Sequence, residues 1–127
     1  MKRVLVIAVL AVLFSSKGRC QPTVYKPGEC IYYTVHYGFI TAGEASLELK
    51  QSTYKGLPVW HTKLVGKTTG MADAIFKVMD VYESFMDPVT ELPVFTIRNI
   101  REGRYRKYNE VIFDHNTRSD STILISD

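Results

Sequence analysis

The sequence predicts a mainly β protein, a curved antiparallel sheet or partial barrel with one short helix. Three observations carry this. Aromatic and β-branched residues recur with a period of two over most of the chain after residue 28. Turn residues punctuate these runs at short, regular intervals. One segment alone changes to a spacing of three and four.

The chain opens on an export signal. Lys2 and Arg3 form a positive n-region, Val4 to Phe14 an uncharged apolar run, and Ser15 to Cys20 a polar stretch with small residues at Gly18 and Cys20. A spanning helix needs about 20 apolar residues, so the run is too short for an anchor. Residues 1–20 are therefore expected to be a signal peptide cleaved before Gln21, with residues 21–127 as one β-rich domain. Lys17, Gly18 and Arg19 argue against lipid attachment at Cys20, because lipoprotein signals carry Leu and small residues there. The expected setting is the periplasm or envelope.

The leader also explains the charge. Four of the 16 basic residues and none of the 13 acidic ones precede Gln21, which leaves 12 against 13 and a net of −1 for residues 21–127. A near-neutral domain gives no support to nucleic-acid binding. Cleavage there also leaves Cys30 without a disulfide partner, and a small buried hydrophobe is its simplest reading.

From Ile31 to Ile40 one face reads Ile31, Tyr33, Val35, Tyr37, Phe39 and the other Tyr32, Thr34, His36, Gly38, Ile40, which predicts a long strand. Thr41 to Gly43 is then expected to turn. Ala45, Leu47 and Leu49 alternate with Ser46, Glu48 and Lys50, as in a sheet with one wet face. Tyr54 to Gly56 turn the chain into a third strand, Leu57 to Thr68, with Val59 and Val65 opposite Trp60 and Leu64. Between Gly70 and Met79, Ala72, Ile75, Phe76 and Met79 stand at helical spacing and predict a short amphipathic helix. Strands follow over Asp80–Met86, Val94–Arg101, Arg104–Phe113 and Ser121–Ser126. The chain stops as the last strand is established, and the open edge predicts that the domain continues beyond it.

Catalytic signatures are missing from this pattern. His36, His61 and His115 are isolated, without the spacing of a zinc site, and no phosphate loop, nucleophile elbow or cofactor motif occurs. The expectation is a non-enzyme without a cofactor. Asp73, Asp80, Glu83 and Asp87 read as a solvated acidic face.

Two polar and aromatic features remain. With Glu102 and Gly103 as a two-residue loop, Arg101 would face Arg104, Asn99 would face Arg106 and Arg98 would face Lys107. Like charges opposite each other cost stability, so either a solvated tip or a bound anion is implied, with Arg101, Arg104 and Arg106 as the anion ligands. The aromatic residues serve either as core or as the lining of a site for an apolar ligand, for which Tyr33, Tyr37, Phe39 and Trp60 are the candidates.

Gly28, Glu29, Ile31, Tyr33, Val35, Tyr37, Gly38, Ile40, Ala42, Gly43 and Ala45 fit the pattern G-E-x-L-x-Y-x-V-x-Y-G-x-I-x-A-G-x-A, with Ile for Leu at one position. On this stretch, and on Phe76 to Pro88, the chain resembles an exported bacterial family catalogued as domain of unknown function 3108. The resemblance implies a curved-sheet or barrel-like envelope protein with no established activity. Family members are longer and carry a D-x-x-S-x-x-Y-x-x-R-like segment after the point where this chain ends.

Two functions are expected on these grounds. The first is an envelope protein that binds a lipid or other apolar or amphipathic ligand within the sheet. The second is a protein-interaction or structural module that presents the sheet edge and aromatic surface to an envelope protein partner.

Overall fold

The computed structural model describes residues 25–115 and 121–126; the leader and its cleavage site lie outside the described residues. Seven strands follow one another in a single antiparallel sheet whose spatial order is the chain order. They are β1 (Cys30–Tyr37), β2 (Ile40–Tyr54), β3 (Leu57–Thr68), β4 (Met79–Met86), β5 (Pro93–Glu102), β6 (Tyr105–Asp114) and β7 (Ser121–Ser126). One short helix, α1 (Gly70–Ile75), interrupts them between β3 and β4.

The predicted sheet and helix are both present, but the sheet is open. Among the described residues β1 pairs only with β2 and β7 only with β6, so the curling expected from the sequence stops short of barrel closure.

Three hairpins use two-residue loops, and their glycines explain why. Lys55 and Gly56 both take positive φ, at 50° and 81°, which is the geometry of a type I′ turn between β2 and β3. At Gly38 (φ 61°) and Gly103 (φ 54°) the glycine stands first of the two loop residues. A positive φ at that position suits glycine because it has no Cβ.

These turns correct two expectations. The β1–β2 turn is Gly38–Phe39, not Thr41–Gly43, so β2 already begins at Ile40. The β5–β6 loop is Gly103–Arg104, which places Arg101 opposite Arg106, Ile100 opposite Lys107 and Arg98 opposite Asn109.

The helix is shorter than its sequence pattern. Its last bond runs from the Phe76 N–H to the Ala72 carbonyl, and Phe76 is already extended. Lys77 and Val78 then join the sheet: Gly103 N–H donates to the Lys77 carbonyl at 2.7 Å, and Val78 bridges Glu102. Met79 therefore lies in β4, and Ile75 is 83% exposed instead of packed on a helical stripe.

Side-chain alternation gives the sheet two distinct faces. On the face that carries α1, one row crosses Ile31, Leu47, Leu64, Tyr82, Arg98 and Asn109. The opposite face carries ion pairs over β2 to β4: Glu44 with Lys67, Glu48 with Lys50 and Glu83 with Lys63. Farther along it, Phe85 and Phe95 group with Tyr54, whose ring stacks on Phe95 at 5.0 Å.

Burial is slight for so apolar a chain. Among the described residues the buried side chains are Leu49, Val59 and Asn109, the last accepting a hydrogen bond from Arg98 at 2.9 Å. Cys30, expected to be a buried hydrophobe, is exposed at the sheet edge. A hydrogen bond donated by the neighbouring Tyr32 hydroxyl to the Cys30 sulfur, together with the negative charge of its thiolate, raises the Tyr32 pKa. The aromatic load of β1 is likewise surface and not core, with Tyr32 at 79% exposure.

Candidate functional site

The apolar alternation of β1, β2 and β3 places small residues together on the helix side. Ala45 of β2 lies between Tyr33 and Gly66, and Gly43 lies between Val35 and Thr68. A floor with so little side chain cannot fill the space beneath α1. The result is a recess of about 430 Å³, lined among others by Val35, Ala45, Leu64, Gly66, Ala72 and Tyr82. That volume falls in the range of small-molecule sites, about 300–1,000 Å³.

Its two glycines have different causes. A Cβ on Gly43 would lie 2.9 Å from the Lys67 carbonyl oxygen, so glycine here permits the close approach of β2 and β3. A Cβ on Gly66 would meet nothing within 4 Å. Gly66 therefore leaves the recess open without any steric need of its own, and a strand interior ordinarily disfavours glycine.

The wall opposite is held by a polar tie. The Thr68 hydroxyl donates to Asp73 of α1 at 2.9 Å and accepts the Val78 N–H at 2.9 Å, joining helix, β3 and the entry to β4. Phe76 packs against Gly103, where a Cβ would come within 2.7 Å of its ring. Asp80, which borders the recess along with Glu44 and Lys67, accepts the Arg101 backbone N–H at 3.0 Å. A second, smaller recess of about 120 Å³ continues the same face past Ile31, Leu47 and Leu49 to Met86.

The four aromatic ligand candidates do not converge. Tyr33 is on the helix side, half exposed beside Ala45, while Tyr37 and Phe39 project from the β1–β2 hairpin at 84% and 97% exposure. Trp60 pairs with Gln51, six residues farther along β2 than Ala45, or about 20 Å at strand rise. Trp60 lines a shallow hollow near Pro58 and Pro88 instead. The glycines and alanines that shape the recess have no side-chain chemistry for a sequence scan to find. Their signal in the sequence is small residues at alternate positions of β2, Gly43 and Ala45, the second of them paired with Gly66.

The basic candidates do gather. Arg101 and Arg106 are directly opposed, and Arg104 sits in the adjoining loop, all three exposed. Arg106 turns its guanidinium onto the Gly103 and Tyr105 carbonyls, at 2.9 and 2.8 Å. The local backbone thus offsets part of the like-charge repulsion expected there.

The acidic residues do not form one solvated face. Asp80 and Glu83 lie on opposite faces, Asp73 bonds Thr68, and Asp87 caps the β4–β5 turn. Glu83 accepts the His61 Nε2–H at 2.6 Å, and the His61 ring stacks on Phe85 at 4.4 Å. This half-buried pair ties β3 to β4. His36 contacts Thr41, and His115 donates to the Pro93 carbonyl at 2.7 Å. Among the described residues no three His, Cys, Asp or Glu side chains converge as metal ligands, and no helix is long and apolar enough to cross a membrane.

No curated protein and no solved structure matches this chain. One family profile does, over residues 32–123, a stretch that runs from β1 into β7 and includes every element bordering the recess. On that match the chain belongs to the family described as protein of unknown function, DUF3108.

Proposed function

We propose that the protein is exported to the envelope and binds a hydrophobic or amphipathic ligand on the helix side of its sheet. The observation that carries this reading is the recess beneath α1, apolar at Val35, Ala45, Leu64, Ala72 and Val78 and kept open at Gly66. The apolar lining would take an alkyl chain, and the border at Asp80 and Tyr82 leaves a polar end near solvent. Tyr33 flanks the recess through Ala45, so it keeps a place in this reading; Tyr37 lies past the β1 bulge opposite Ile40, Phe39 is in the hairpin loop and Trp60 is six residues along β2 from Ala45, and none of the three lines the recess.

Native mass spectrometry of the purified chain with dodecanoate tests the reading. A one-to-one complex is expected, weakened at least about tenfold by Gly66→Val, which fills open space on an extended strand without strain. A mass that stays unliganded, or a Gly66→Val variant that binds as well as the parent, would contradict it.

The second reading, an interaction module, is favoured by β1. Each of its eight residues is exposed, and among the described residues its outer edge is unpaired. Retention of an envelope protein by the parent chain, lost on Thr34→Pro, is the outcome expected of that reading.

A further inference from the structure

We infer that β1 is a self-pairing edge: two copies of the chain join antiparallel through β1, with Tyr33 on the two-fold axis. The inference gives the interaction reading a specific partner and does not depend on the ligand reading.

An exposed edge strand is a template for pairing, and natural sheets blunt such edges with charge, proline or a cover. Among the described residues β1 has none of these. Cys30 to Tyr37 contains no Lys, Arg, Asp, Glu or Pro, and among the described residues the strand pairs on one side only. A strand without charge meets no like-charge penalty when it lies against itself.

Register follows from the faces. In a two-fold dimer with the axis normal to the sheet, the helix sides of both copies lie together, so paired residues must share a face. Ile31, Tyr33 and Val35 are on the helix side, and Tyr32 and Thr34 on the other. The alternation is regular only as far as the bulge between Val35 and His36. Centring the pair on Tyr33 keeps Ile31 to Val35 of both copies within that regular stretch. Tyr33 then meets Tyr33 of the second copy, Ile31 meets Val35, and Tyr32 meets Thr34.

This register also accounts for the exposure. Ile31, Tyr33 and Val35 remain 47%, 49% and 54% exposed although β2 covers one flank of each. The uncovered flank is the one a second β1 would occupy. The apolar row of the helix side would then run from one copy into the next.

Sedimentation velocity of the purified chain over about a hundredfold dilution provides the test, since a dimer must dissociate by mass action. The parent is expected to shift from dimer to monomer on dilution. Tyr33→Lys and Tyr33→Glu, each alone, are expected to be monomeric throughout with unchanged far-UV circular dichroism. An equal mixture of the two variants is expected to restore the dimer, because opposite charges then face each other across the axis.

A parent that is monomeric at every concentration overturns the inference. So do a dimer that survives in either single variant, a mixture that stays monomeric, and assemblies larger than a dimer, which would mean head-to-tail contact between unlike edges. A monomeric parent that still retains an envelope protein through β1 would sink self-pairing and leave the interaction reading intact.

Discussion

The Asp87 carboxylate accepts the N–H groups of Val89 and Thr90 at 2.8 and 2.7 Å, which makes the turn between β4 and β5 depend on its charge. These bonds, Thr90 first and Val89 next, hold its pKa below the ordinary Asp value. A folded pKa below the unfolded one stabilises the fold at pH above the unfolded value, about 3.9, and that contribution is lost as pH falls through the lower folded value. Following the Val89 and Thr90 amide resonances in an acid titration is expected to give a midpoint below about 3.9, and Asp87→Asn is expected to remove the titration while keeping an acceptor. A midpoint at or above the ordinary value would contradict the assigned bonds. Asp87 stands directly before Pro88, a turn signal that lies open in the sequence because the local chemistry of Asp and Pro sets it. Gly66 was not, since nothing in a sequence distinguishes a glycine that opens a recess from one that merely weakens a strand. Cys30 was misread for a related reason: a small apolar side chain suits a core, but a strand at the sheet edge has little core to offer.

At the scale of elements, period-two alternation recovered β3 and β7 to the residue and β4 to within one. The turns were harder. A glycine in a two-residue hairpin can stand first or second in the loop, and both patterns are favourable, so Gly103 alone could not choose between Glu102–Gly103 and Gly103–Arg104. The Phe76 ring and the Lys77 carbonyl that hold Gly103 come from a segment distant in sequence, and they fix the second choice. The helix was overextended for the same reason, because Ile75 and Met79 have the spacing of a stripe but Lys77 and Val78 are drawn into the sheet. The corrected register carries a stability consequence. Arg101 faces Arg106, so Arg101→Glu replaces a like-charge pair with an opposite one and is expected to stabilise the fold by about 0.2–1 kcal/mol. Urea melts of the two forms at low salt check this, and an equal or lower midpoint for the variant would contradict the pairing. The same substitution is expected to weaken any inorganic phosphate held by Arg101, Arg104 and Arg106.

At the scale of the whole molecule, a single open sheet leaves apolar surface on both of its faces. The ion pairs over β2 to β4 make much of the opposite face compatible with water. The helix side has fewer such groups and holds the recess, and its row from Ile31 to Tyr82 ends at the polar pair Arg98 and Asn109. A sequence can show that a sheet has an apolar side, because alternation is local. It cannot show that the side is left uncovered at one place, because that depends on where a six-residue helix docks and which small residues lie beneath it. The ligand reading rests on that place. Amide chemical-shift mapping of the isotope-labelled chain during addition of dodecanoate tests it most directly. Saturable shifts at Val35, Ala45, Gly66, Ala72 and Val78, with Phe85 and Phe95 on the other face unmoved, are the expected result. No shifts, or shifts centred on Phe85 and Phe95, would contradict it.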